Sequence, residues 1–335
     1  MERYIAIDNV CAWPNLTLMP DGSVVATIFN QPTHGGCEGD VDCWVSTDEA
    51  RMWHYLGTPA PHEPTTNRMN VAAGLARDGS LVVLAAGWTN RPPTTEPKKV
   101  FFQDSEILPA WVCRSTDGGR TWQHTDQIEF LEGPSVYPMP FGDIVQLADG
   151  ALGVSLYGRD KVDVADGISA HLYVSLDDGR SWQHRSVIGA GDYNETNLLT
   201  LRSGRLLAAA RTWNDHHLEI FYSDDSGQTW ASSGVASLAG QHPAHLLELA
   251  DGRVLLVYGL RNPGLYGVAA RLSSDGGQTW GLPQVLVNLG ADRVDCGYPA
   301  SVQLADGTIV TAYYAASAES HHRYHMGVVR WQAPE

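Results

Sequence analysis

The chain holds 335 residues, 43% of them hydrophobic, and carries a formal net charge of −16. That is enough apolar material for a full core, and too much negative charge for nucleic acid or an anionic membrane surface to be the partner. Any anionic ligand must therefore be met by a local cluster of arginines. Five cysteines, at positions 11, 37, 43, 113 and 296, show no zinc-type spacing, and the odd count fits a reducing compartment. The opening Met1-Glu2-Arg3-Tyr4 lacks an apolar signal stretch, and no run of 18 apolar residues follows. A soluble, cytoplasmic protein is expected, secreted only if a leader has been removed.

In chain order, residues 3–8 read as a lone strand, expected to close a ring by pairing with residues 325–331. Units follow at about 11–57, 68–127, 137–189, 194–238, 242–289 and 296–331. Each carries a turn of the type Leu-x-Asp-Gly, or a looser version of it, ending at Gly22, Gly79, Gly150, Gly204, Gly252 and Gly307. Asp-Gly between two apolar runs is a hairpin signal. The first five hairpins are each followed by a box, Ser-x-Asp-x-Gly-x-x-Trp. Ser115–Trp122, Ser175–Trp182, Ser223–Trp230 and Ser273–Trp280 match it fully, and Ser46–Trp53 has Ala50 in place of the glycine. The serine and aspartate oxygens can fix a tight turn, the glycine permits a positive φ, and the tryptophan can anchor the hairpin. Ala50 predicts a looser first turn. Units of about fifty residues built from short strands read as propeller blades, six in number, with very little helix. Long inserts at 30–42, 58–70, 88–109, 158–168 and 314–324 are where function tends to sit.

This pattern of boxes and blades resembles the sialidase (neuraminidase) superfamily over nearly the whole chain. The resemblance implies an all-β, six-bladed propeller forming a single domain, 1–335, with the boxes away from the site. The box is specific for fold and says little about chemistry. More telling is the segment from Glu195 to Arg211, sixteen residues apart. It looks like the family segment in which a glutamate opens a strand and an arginine closes the hairpin, so both should meet at the mouth. A surface ion pair is the plain alternative. The stretch Asp295-Cys296-Gly297-Tyr298-Pro299 resembles the one carrying the family's nucleophilic tyrosine, with Tyr298 at the matching position. A phenol titrates near pH 10, so it needs a carboxylate to take its proton, and Glu195 is the candidate. Otherwise Tyr298 is a buried structural tyrosine. Arg261, after an apolar strand one unit later, could join Arg211 in holding a carboxylate, since guanidinium binds it bidentately.

Two positions depart from the family pattern. Ala12 stands where the first of three arginines is implied, and Arg68 is the candidate replacement. Asn30 stands nearest the implied aspartate acid/base, leaving His34, Glu38 and Asp40 as substitutes. His321, His322 and His325 have only a superficial metal spacing; no metal and no cofactor is implied. Trp13, Trp88 and Trp213 read as core rather than sugar platforms. The leading reading is a glycoside hydrolase acting on an acidic or unusual sugar, with carbohydrate as the partner. A carbohydrate lyase on the same scaffold and a non-catalytic sugar-binding propeller stay open.

Overall fold

The computed structural model describes residues 1–97, 104–129, 138–159, 167–290 and 294–334. Parts of the inserts 88–109 and 158–168 lie outside the described residues, as does the start of the third predicted unit at 137. Every described element is a strand, and the fold is an all-β propeller. The chain builds antiparallel meanders in sequence. The first comprises β2 (Cys11–Leu18), β3 (Val24–Phe29), β4 (Val41–Ser46) and β5 (His54–Ala60). Next come β6 (Asn67–Leu75), β7 (Leu81–Trp88), β8 (Ile107–Ser115) and β9 (Gln123–Thr125), then β10 (Met139–Gln146), β11 (Leu152–Arg159), β12 (Ile168–Ser175) and β13 (Gln183–Gly189). These are followed by β14 (Tyr193–Thr200), β15 (Leu206–Thr212), β16 (Leu218–Ser223) and β17 (Ala231–Val235), and by β18 (Gln241–Glu248), β19 (Val254–Asn262), β20 (Leu265–Ser273) and β21 (Gln284–Asn288). The last meander, β22 (Cys296–Gln303), β23 (Ile309–Ala315) and β24 (His325–Trp331), is completed by β1 (Glu2–Asp8), which lies antiparallel to β24.

The expectation of six separate blades needs correcting. The strands form five hydrogen-bonded sheets: four stand as separate four-stranded blades, and the fifth has eight strands. In that sheet β6 and β10 pair in parallel through Ala72 with Gly142 and Ala73 with Asp143. Small residues allow the approach. A Cβ added to Gly74 would lie 2.4 Å from the Ile144 carbonyl oxygen. No periodicity in the hydrophobic pattern reports such a contact.

Apolar side chains from neighbouring sheets interleave. Leu16, Val24 and Ile28 pack against Val302, Val310 and Val328, for example. Each such burial is worth roughly 1.5–3 kcal/mol. The meander order puts the Asp-Gly turns and the boxes on one face. The starts of β2, β6, β10, β14, β18 and β22 lie on the other.

On the box face, Asp117 Oδ1 accepts the N–H groups of Arg120 (3.0 Å) and Thr121 (2.9 Å) and the hydroxyl of Ser115 (2.8 Å). Asp177, Asp225 and Asp275 repeat this. So does Asp48, with Arg51, Met52 and Ser46. The first turn is thus as tight as the others. Glu49 and Ala50 take φ of 61° and 59°, in the left-handed region where Gly118 and Gly119 sit at 75° and 100°. Buried Ala50 is held there by the Asp48 bonds and by the Tyr4 hydroxyl, which donates to its carbonyl.

Candidate active site

Each innermost strand breaks register near its start: β2 between Cys11 and Asn15, β6 between Arg68 and Asn70, β10 between Phe141 and Val145, β14 between Tyr193 and Thr196, β18 between Gln241 and Ala244, β22 between Gly297 and Ala300. A bulge re-aims the side chains it contains. The residues inside these breaks are Trp13, Met69, Glu195, His242 and Tyr298 among others. Tyr298 has φ of 48°, a left-handed conformation that a bulky residue rarely adopts. Gly297 before it has φ of 98°, and a Cβ there would meet the Gly259 Cα at 2.8 Å. The backbone at this point is committed to one presentation of the phenol.

Tyr298 is 5% exposed, and its hydroxyl donates to Glu195 Oε1 at 2.5 Å. Arg211 ion-pairs with Glu195 Oε2 and lies 3.3 Å from the phenol oxygen. Its strand, β15, pairs with β14 and so returns it to the same edge. Arg261 Cζ stands 5.0 Å from the Tyr298 ring centroid, and its Nε and Nη2 donate to the Cys296 carbonyl at 3.1 and 3.0 Å. Trp13, Tyr314 and Phe141 surround the phenol, with ring centroids at 4.9, 5.6 and 6.0 Å. Burial, then the Glu195 charge, pushes the Tyr298 hydroxyl above the usual phenol range, against the pull of Arg211 and Arg261. At neutral pH Tyr298 therefore rests as a phenol, donating to Glu195. The two arginines also act on His216 and His242. Burial first and then these charges push His242 down to about 2, so it stays neutral; His216 is lowered for the same reasons.

The remaining sequence candidates are placed differently. His34 lies near the cluster, with Nδ1 2.9 Å from Asp295 Oδ1 and its ring edge-on to Trp13. Glu38 accepts the Thr65 amide at 2.6 Å. Asp40 Oδ1 is engaged by His62, through the backbone N–H at 2.7 Å and Nδ1 at 2.6 Å. Asn30 holds Asp40 and Asp42 together, at 3.1 and 3.2 Å. Arg68 corrects the sequence expectation. Its guanidinium lies 3.8 Å from the Trp111 ring centroid and donates to the Pro109 carbonyl at 2.7 Å. It braces the wall between strands instead of replacing the arginine lost at Ala12, and burial pushes it down to about 10. Trp13 and Trp88 are buried, whereas Trp213 is 45% exposed, two residues beyond Arg211, and is not core. His321 pairs with Asp8 at 2.8 Å, and among the described residues no group of three His, Cys, Asp or Glu could hold a metal.

Sequence reasoning missed Tyr157, Tyr314, Tyr324, His216 and His242, and gave Asp295 no role. Tyr157 is buried, with Glu195 and Tyr298 near enough to raise its hydroxyl further. Asp295 accepts the hydroxyls of Tyr314 and Tyr324, the latter at 2.5 Å. The usable signal was position: Tyr157, Tyr314 and His242 all sit at the mouth-side ends of strands. Below Tyr298 the axis is filled. Asn15, Asn197 and His245 line a cavity of about 20 Å³, and His245 Nε2 lies 2.9 Å from Asp143 Oδ2.

Residues 22–311 match the BNR repeat-like domain family. The chain belongs to that family. Over 230 residues it is 25% identical to a sialidase of Micromonospora viridifaciens, an alignment covering 63% of this chain and 35% of the relative. The chain thus matches only about a third of that enzyme's length. Among solved structures, a protein of unknown function from Dyadobacter fermentans superposes with a TM-score of 0.83 at 23% identity, covering 99% of this chain and 98% of its own. A mutant of the NanB sialidase from Streptococcus pneumoniae gives 0.73 at 14% identity, covering 98% and 70%. These likenesses establish the sialidase-like propeller fold.

Proposed function

We propose that this chain is a glycoside hydrolase of the sialidase superfamily that acts on an acidic sugar through a tyrosine nucleophile. The observation that carries the reading is the contact of Tyr298 with Glu195 and Arg211 inside two register breaks at the mouth. A carboxylate nucleophile would repel an anionic sugar. A neutral phenol does not, and it becomes nucleophilic as its proton passes to Glu195. Arg211 and Arg261 are the cations beside it, suited to a substrate carboxylate.

The test is turnover of 4-methylumbelliferyl glycosides of N-acetylneuraminic acid, a 3-deoxy-2-keto sugar acid and glucuronic acid. Wild type should release the fluorophore from at least one, and Tyr298→Phe should lose on the order of 10³-fold or more while remaining folded. Full turnover by Tyr298→Phe would sink the reading. An unsaturated sugar product would move it to a lyase, and binding without any turnover to a lectin-like propeller.

A further inference from the structure

We propose that the proton donor and acceptor of this site is an imidazole–carboxylate dyad, His34 held by Asp295, and that the protonated imidazole also supplies the third positive charge that Ala12 no longer provides. The proposal rests on the glycosidase reading above. Three side chains of the 30–42 insert were candidates, and their surroundings separate them. Glu38 is turned to the Thr65 amide and Asp40 to His62. His34 faces the rings that surround the phenol. Its centroid is 5.6 Å from Trp13 and 6.3 Å from Tyr314, and those two rings lie 4.9 and 5.6 Å from Tyr298.

Asp295 is built as an orienting group. It precedes Tyr298 by three residues, so one segment sets the nucleophile and the orienter. It accepts His34 Nδ1 at 2.9 Å and the hydroxyls of Tyr314 and Tyr324. Burial alone would raise its carboxyl; the hydrogen bond and charge of His34, with the two hydroxyls, outweigh that and hold it well below the usual carboxylate range. A carboxylate fixed in this way pins the imidazole tautomer with the proton on Nδ1, so that Nε2 is the nitrogen that exchanges protons.

In this reading protonated His34 joins Arg211 and Arg261 as the third cation beside the site, where an aspartic acid would add no charge. In the first step His34 Nε2–H gives its proton to the glycosidic oxygen as the bond to the aglycone breaks. The Tyr298 oxygen bonds to the anomeric carbon, its proton having moved to Glu195. In the second step neutral His34 takes a proton from water, whose oxygen displaces Tyr298, and the phenolate recovers its proton from Glu195.

The experiment compares wild type, His34→Asn, His34→Gln, Asp295→Asn and Tyr298→Phe on the 4-nitrophenyl and methyl glycosides of N-acetylneuraminic acid, or of glucuronic acid if that is the sugar turned over. A good leaving group departs without an acid, and a poor one does not. Both His34 variants should lose about 10²-fold or more on the methyl glycoside beyond their loss on the nitrophenyl one, and azide should restore nitrophenyl turnover as a glycosyl azide. Asp295→Asn should show the same split at smaller size, as a positioning residue. Equal losses on both glycosides with no azide rescue would overturn the dyad while leaving Tyr298 in place; full activity of Tyr298→Phe would overturn the underlying reading instead. Independently of turnover, nitrogen NMR of neutral His34 should place its proton on Nδ1 in wild type and lose that preference in Asp295→Asn. A proton on Nε2 in wild type would refute the proposal.

Discussion

On the box face of the propeller, five turns repeat the same hydrogen bonds to an aspartate whose next two residues take the left-handed backbone. On the mouth face, the innermost strands all break register, yet the breaks present different side chains: Trp13, Met69, Glu195, His242, Tyr298. One face repeats both backbone and side chains, and the other repeats backbone alone. A turn that only has to close a hairpin can use the same solution everywhere. A site needs unlike groups converging on one point, so only the device that aims them can recur.

The largest expected effect falls on the mouth. Glu195→Gln should cost nearly as much turnover as Tyr298→Phe, on the order of 10³-fold or more, and the double variant little beyond either, because residues acting as one unit are not additive. The two should separate in stability. Losing the Glu195 charge leaves Arg211 buried without its counter-ion, a cost of about 3–5 kcal/mol. Tyr298→Phe removes one hydrogen bond to a charged group, about 1.5–3 kcal/mol. Urea unfolding of the three variants checks this, and additive losses of turnover would break the contrast.

The box face should show the reverse: stability lost, activity kept. Trp182 is 2% exposed and packs with Leu152, Val154 and Tyr173. Trp182→Ala should cost about 3–5 kcal/mol and leave kcat/KM of the folded protein unchanged. Trp122 is only half-buried and bonds the Gly119 carbonyl at 2.9 Å, so Trp122→Ala should cost less. Equal losses would show that box tryptophans act by a means other than burial.

Acid should also act on the box face. The Asp225 and Asp275 carboxyls are lowered to about 2, chiefly by the Thr229 and Thr279 hydroxyls and amides. A carboxyl depressed on folding contributes stability above its unfolded value, near 4, and loses it as pH falls through the folded value. Melting temperature should therefore decline between about pH 4 and pH 2, and Asp225→Asn should flatten part of that decline. An unchanged acid limb in this variant would remove the box from the account.

The smallest effect sharpens the comparison within the boxes. Left-handed backbone costs a non-glycine residue about 1–2 kcal/mol, but the buried Ala50 methyl returns about 0.8 kcal/mol. Ala50→Gly should shift stability by no more than about 1 kcal/mol, measured by chemical denaturation. A loss of several kcal/mol would mean the methyl fills more than the turn.

These contrasts also explain what could be read in advance. The box and the Asp-Gly turn announce themselves because each is a local solution written in consecutive residues. The pairing of Glu195 with Arg211 was legible through hairpin length. Tyr298 was legible only through a resemblance, since nothing in Cys296-Gly297-Tyr298-Pro299 itself states that the phenol meets a carboxylate 103 residues away. Asp295 with His34, 261 residues apart, left no trace at all. The Arg68 expectation failed because a guanidinium can stack on Trp111 as readily as it can bind an anion, and no spacing rule separates the two. The fused eight-stranded sheet was hidden because it depends on how closely Gly74 and Ile144 approach.

The pairing of β1 with β24 runs from Glu2 opposite Arg330 to Asp8 opposite His325. Topologically the molecule is a loop fastened by a strand, and the fastening is made of the same hydrogen bonds as every other strand pair. Chain order around such a loop is arbitrary. A circular permutant opened at the Gly204 turn, with a short linker joining the present ends, would contain the same strand neighbours and the same mouth.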